Sequence, residues 1–162
     1  MQYCFSTIGQ DSHRFSENLT EGSEIILGGV TIPSQYNIEA NSDGDVILHA
    51  ITNAISGATG VNILGKIADD LCLNNGIKDS RIYLQEALKY LDDARLVHIS
   101  VSVECRYPKL SPYIDEIKRN IALLLDIPAK SVGLTATTGE GLTEFGKGKG
   151  IQVFECASFI SI

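Results

Sequence analysis

Residues 97–106 read Val97-His98-Ile99-Ser100-Val101-Ser102-Val103-Glu104-Cys105-Arg106, and their alternation is strict. Val97, Ile99, Val101, Val103 and Cys105 fall on one face, while His98, Ser100, Ser102, Glu104 and Arg106 fall on the other. A period of two is the mark of a strand with one face in a core. Downstream, Ser111-Pro112 is an N-cap followed by proline at the first helical position, and Ile114, Ile117, Ile121 and Leu124 repeat at helical spacing. Ile127-Pro128 ends that helix. Strands are expected at 132–138 and 151–160, separated by a glycine-rich loop. Upstream, Asp79 or Ser80 caps a helix over 80–92 with Leu84, Leu88 and Leu91 on one face. A further helix is expected over 45–58, with Asp43 as its N-cap. Gly28-Gly29 between β-branched runs predicts a hairpin over 24–32, and residues 3–10 read as a buried first strand. Helices and strands mix without strict βαβ alternation. The expected class is therefore α+β, with helices on one face of a sheet.

A chain of 162 residues fits one domain and hides roughly 70% of its unfolded surface, enough for a self-sufficient core. The net charge of −7 leaves no basic footprint for nucleic acid and no polybasic patch for a membrane. An anionic ligand would need local cations or metal ions to offset that field. Cys4, Cys72, Cys105 and Cys156 include no CxxC pair and read as reduced, buried thiols. With no signal-peptide pattern and no run of 18 apolar residues, a cytoplasmic location is expected.

Asp11 and His13 stand two apart, so an extended backbone projects both from one face toward a single metal ion. The chain has three histidines, so a two-histidine site joins His13 to His49 or to His98. Asp11, His13 and His49 would make three ligands with an open fourth position, as in catalytic zinc sites. His98, on the polar face of its strand, reads as a solvent or interface residue. Asn41-Ser42-Asp43-Gly44-Asp45 begins like a calcium loop but fails at Val46 and Thr52, and reads better as a loop into a capped helix. Thr137-Thr138-Gly139-Glu140-Gly141 and Gly146-Lys147-Gly148-Lys149-Gly150 offer backbone N–H groups, hydroxyls and lysines to an anion. Glu140 could hold a second hard cation, although a plain turn-rich loop accounts for the same residues. Tyr107-Pro108-Lys109-Leu110-Ser111 either presents backbone groups to a base or simply joins strand to helix.

In chain order, Gly9-Gln10-Asp11-Ser12-His13-Arg14, Leu27-Gly28-Gly29-Val30, Asn41-Ser42-Asp43-Gly44-Asp45-Val46-Ile47-Leu48-His49-Ala50, Leu64-Gly65-Lys66, Asp79-Ser80, Tyr107-Pro108-Lys109-Leu110 and Ala136-Thr137-Thr138-Gly139-Glu140-Gly141-Leu142 form one ordered pattern. With these blocks the chain resembles the 2-C-methyl-D-erythritol 2,4-cyclodiphosphate synthase family over nearly its whole length. The resemblance implies a single catalytic domain over 1–162: a mainly four-stranded sheet covered by helices on one face. It further implies a homotrimer around a three-fold axis, with active sites between subunits. Zinc or another divalent metal would sit at Asp11, His13 and His49, and magnesium or manganese at Glu140 with the substrate diphosphate. Asp11, Ser12, His13, Asn41, Ser42, Leu64 and Gly65 would contact substrate. So would Thr137, Thr138, Gly139, Glu140 and Lys147 near the phosphates, while Tyr107, Pro108, Lys109, Leu110 and Ser111 would line the cytidine pocket. Asn41 and Thr138 would act closest to the reacting phosphates. The implied reaction converts 4-diphosphocytidyl-2-C-methyl-D-erythritol 2-phosphate to the 2,4-cyclodiphosphate with release of CMP.

Four positions depart from the family pattern. Asn41 replaces a histidine, Lys147 an arginine and Ala68 a phenylalanine, and Ile63 stands where an aspartate binds the erythritol hydroxyls. Asp69 or Asp70 could supply that carboxylate. A metal-dependent phosphoesterase, or a binding protein that keeps the fold, would use many of the same residues.

Overall fold

In the computed structural model, which describes residues 2–162, the alternating segment is strand β4, Ala94–Cys105. Before it come β1 (Cys4–Arg14), the hairpin β2 (Ser23–Leu27) and β3 (Val30–Ser34), and helices α1 (Val46–Thr59), α2 (Ala68–Asn75) and α3 (Ser80–Leu88). After it come α4 (Ile114–Leu125), β5 (Val132–Thr137) and β6 (Gly150–Ser161). The main sheet has the order β1-β6-β4-β5, with β6 antiparallel to both neighbours and β5 parallel to β4. A parallel pair needs a crossover, and α4 supplies it. Its Ile117 and Ile121 are fully buried. Helix α1 lies over β1 and β6, α3 packs on α1, and α4 packs beside β5, so all cover stays on one face. The α+β class holds, and the hairpin turns where expected: Gly28 (φ 59°) and Gly29 (φ 76°) both adopt the left-handed conformation of a two-residue turn.

Several local expectations give way to the structure. The N-cap of α1 is Asp45, not Asp43; its carboxylate accepts from Leu48 N at 3.0 Å and from Gly28 and Gly29 N at 2.8 and 2.6 Å. That carboxyl is fully buried, and burial pushes it up to about 6 against the three donors. Helix α3 stops at Leu88, and i→i−3 bonds take over through Leu91. Helix α4 begins at Ile114, after a turn over Ser111–Tyr113, and closes on left-handed Asp126. In β4 a bulge between Leu96 and His98 breaks the alternation, so Leu96 reaches the core and Val97 is only half buried. Strand β1 is an edge strand whose residues are mostly exposed or half buried, not a buried first strand. Among the cysteines only Cys105 is buried, and burial raises its thiol to about 12; Cys4 and Cys156 are exposed. Among the described residues no helix is long and apolar enough to cross a membrane.

One approach fixes the layer above the site. A Cβ on Gly9 would overlap the Ala50 carbonyl oxygen of α1 and lie 2.8 Å from Ala50 C and Ala54 N. Only glycine lets the helix backbone sit this low on β1. Replacing Gly9 with alanine must lift α1, which should cost about 3 kcal/mol or more in urea unfolding. An unchanged midpoint and slope would refute that account.

The core also holds an unpaired acid. Glu155 of β6 stands between Gly9 of β1 and Val101 of β4, is 2% exposed, and has no hydrogen-bond partner for either carboxyl oxygen among the described residues. Burial pushes its carboxyl from 4.5 to about 9. The neutral form suits the fold, so stability is greatest below 4.5 and is lost progressively as pH rises toward 9. Glu155→Ala should therefore stabilise the protein at alkaline pH, by about 1–4 kcal/mol, and gain little at pH 4. Thermal melts of both proteins across that range test this. A pH-independent difference would contradict it.

Candidate active site

The low seat of α1 puts His49, the residue before Ala50, directly above β1. Asp11 and His13 share the parity of Gly9, so both face that helix. Asp11 Oδ2 lies 3.1 Å from His49 Nδ1 and 3.2 Å from His13 Nε2, and the two ring nitrogens are 3.5 Å apart. Donors on a tetrahedron with bonds of about 2.0–2.1 Å are separated by roughly 3.3 Å. The triangle therefore fits one face of a four-coordinate divalent ion and leaves the fourth position toward the cavity. Burial alone would raise the Asp11 carboxyl, but hydrogen bonds and charge from His13 and His49 outweigh it and hold the group down to about 2. His98 is exposed on the other face of the sheet and takes no part.

Asp11, His13 and His49 open onto a cavity of about 410 Å³ whose walls include Asn41, Ser42, Leu64 and Gly65. The sequence reading placed all seven at the site. Ser12 is exposed and lines an adjoining groove, which shares His13 with the cavity and includes Glu144, Phe145 and Lys149. Ile63 is fully buried in the core. The carboxylate on the cavity wall is Asp69, while Asp70 points away and accepts from Asn74 at 3.4 Å. Ala68, Asn53, Cys72, Leu73 and Tyr83 complete the wall. Cys72 and Leu73 escape the sequence reading because α2 has no fully buried residue and gives no clear periodic signal.

The remaining expected residues lie elsewhere on the chain. Asp11 pairs with Val153, Val153 with Val103, and Val103 with Ala136. That row spans three strand spacings, about 14 Å. Thr137, Thr138, Gly139 and Glu140 follow Ala136 on the opposite edge, and Glu140 is exposed with φ 56°. Tyr107–Ser111 leave the end of β4 beside them, although Leu110 itself is buried in the core. Thr143 Oγ1 donates to Glu104 Oε1 at 2.5 Å, which ties the glycine-rich loop to β4. Lys147 pairs with Glu144 at 2.8 Å. Both groups sit at the same end of the sheet, because His13 pairs with Ile151 and Ile151 with Cys105. Within one chain these residues lie on the opposite edge of the sheet from the Asp–His–His triangle, and Glu140 is not brought to it.

The comparisons agree on this chain's kinship. The YgbB family model matches residues 5–160. The 2-C-methyl-D-erythritol 2,4-cyclodiphosphate synthase of Chlamydia caviae is 47% identical over 150 residues, covering 91% of this chain and 84% of the relative. That of Chlamydia abortus is 48% identical with the same coverage. Among solved structures, the bifunctional IspDF of Campylobacter jejuni superposes with TM-score 0.87 at 30% identity, over 100% of this chain and 43% of that longer one. A 2C-methyl-D-erythritol-2,4-cyclodiphosphate synthase with CDP bound gives TM-score 0.82 at 30% identity, over 94% of this chain and 98% of its own. Sharing sequence and fold with these proteins over most of its length, the chain belongs to the 2-C-methyl-D-erythritol 2,4-cyclodiphosphate synthase family of enzymes.

Proposed function

We propose that this protein is a cytoplasmic phosphorus–oxygen lyase, one catalytic domain over 1–162. It converts 4-diphosphocytidyl-2-C-methyl-D-erythritol 2-phosphate to 2-C-methyl-D-erythritol 2,4-cyclodiphosphate and CMP, in non-mevalonate isoprenoid biosynthesis. The observation that carries this reading is the metal-ready triangle of Asp11, His13 and His49 on a cavity large enough for a phosphorylated sugar. The attacking group is the substrate's own phosphate, already ionised, so positioning and charge neutralisation are what the protein must supply. Zinc is the ion that suits one carboxylate and two imidazoles, and when bound it supplies Lewis-acid charge to a phosphate oxygen. Glu140 is the ligand for magnesium or manganese at the diphosphate. Asn41 donates its amide to a phosphate where relatives offer a histidine. Ser42, Leu64 and Gly65 hold the sugar phosphate, with Asp69 in reach of the erythritol hydroxyls. Tyr107–Ser111 hold the cytidine, and Thr137, Thr138, Gly139 and Lys147 the phosphates.

These half-sites face away from each other within one chain, which supports a homotrimer whose sites draw on two subunits. The sheet face without helical cover supports it too: Ile8 is 73% and Phe154 47% exposed there.

Phosphorus NMR of the purified protein with substrate, zinc and magnesium tests the reaction. CMP and a cyclic diphosphate should accumulate, cease after chelation and resume on adding zinc. Linear phosphates alone would indicate a hydrolase, and turnover indifferent to chelation would remove the metal from the reaction.

Subunit mixing tests the shared site. His49→Ala and Glu140→Ala should each be inactive alone. Unfolded together and reassembled in equal amounts, they should recover about a quarter of parental activity, because a random trimer pairs the two intact halves at that frequency. No recovery would mean that each chain builds its own site.

A further inference from the structure

We infer that Ser80 and Asp43 are positioning residues that fix the tautomer of His49. This rests on reading Asp11, His13 and His49 as a metal site. His49 presents Nδ1 to Asp11 and His13, so that nitrogen needs its lone pair and the ring proton belongs on Nε2. Nε2 faces Ser80 Oγ at 2.8 Å, with Ser42 Oγ farther off at 3.4 Å. Ser80 has one hydroxyl proton, and its other partner is the Asp43 carboxylate, whose oxygens serve as acceptors. The proton count then has one solution. Ser80 donates to Asp43 Oδ1, so its oxygen is left to accept from His49 Nε2–H.

The surroundings hold this direction. Ser80 is fully buried at the start of α3, out of competition from solvent. Asp43 is clamped by Ser80 N donating to Oδ2 at 3.0 Å and Asp45 N donating to Oδ1 at 3.1 Å, while its own N–H donates to Lys78 O at 2.9 Å. A carboxylate thus orients a ligand histidine through an intervening hydroxyl, a variant of the direct carboxylate–histidine pairing common around metals. Part of the arrangement is structural, because Ser80 N and Asp43 join α3 to the loop before α1. The side-chain hydroxyl is separable from that role.

The test compares the parent with Ser80→Ala, Ser80→Thr and Asp43→Asn. Zinc affinity is measured by competition with a chromophoric chelator, and the His49 Nε2–H signal by proton–nitrogen spectra of histidine-labelled protein. Ser80→Ala keeps the backbone bond to Asp43 yet should bind zinc about 10–100-fold more weakly. In its zinc-loaded form the His49 Nε2–H signal should lose its slow solvent exchange and its low-field shift. Ser80→Thr, which restores a hydroxyl, should restore both readings, and Asp43→Asn should weaken them in the same direction. Unchanged affinity and an unchanged Nε2–H signal in zinc-loaded Ser80→Ala would overturn the inference. If the parent takes up no zinc, the metal reading fails and the relay with it, whereas zinc bound equally well by Ser80→Ala and the parent sinks the relay alone.

Discussion

Helix α1 rests on β1 through the absence of one side chain. With Gly9 under the Ala50 carbonyl, the helix axis comes close enough for His49 Nδ1 to reach 3.1 Å from Asp11 Oδ2. A methyl group there would raise the helix and pull His49 off the triangle. Asp45 fixes the other end of the placement. Its carboxylate caps α1 and holds the Gly28–Gly29 turn, so the hairpin, the helix start and the height of His49 are set together. Backbone packing at a glycine therefore determines ligand geometry two residues away, and the same helix seals the core against β6.

The sheet order gives the second constraint. Ordinary enzyme sites gather residues from the ends of neighbouring strands, whereas here β1 and β5 are the two edges of the sheet. No bend of a four-stranded sheet this size brings Glu140 to His13 within one chain. The homotrimer proposed above would resolve the geometry by placing one edge against the other. The helix-free face, with Ile8 and Phe154, gives such copies an apolar surface to share.

Much of this was legible in residues, and the gaps have physical causes. Alternation found β4, and Asp11 with His13 declared a common face because strand periodicity is short-range. His49 needed tertiary information, since nothing in the spacing of 36 residues says that α1 crosses β1 at Gly9. The cap of α1 was misplaced by two residues because Asp43 and Asp45 are equally good caps by type. Asp43 was instead required by Ser80 and Asp45 by the hairpin, and both demands come from outside the helix. Helix α2 was invisible because its polar residues bury no face. The bulge at Leu96–His98 shifted one residue across an otherwise correct pattern. Ile63, where the family resemblance leads one to expect an aspartate, is fully buried in the core. The local backbone at Leu64 and Gly65 departs from helix, which hands the cavity wall to Asp69.

The acidity of the chain and the anionic ligand of its family are reconciled at the triangle. A net charge of −7 repels a diphosphate at long range, although screening confines that repulsion to about 10 Å. With a divalent ion held there, one carboxylate and two imidazole ligands would leave a formal charge of about +1. A second carboxylate in place of one histidine would cancel it, so the two histidines matter as much for what they do not contribute as for binding. Neutral His49 is compatible with that balance only if its single proton points away from the ion. The partner at its back must then accept a proton without taking it, which a serine hydroxyl anchored to a carboxylate does, since that hydroxyl's own proton is already committed to Asp43.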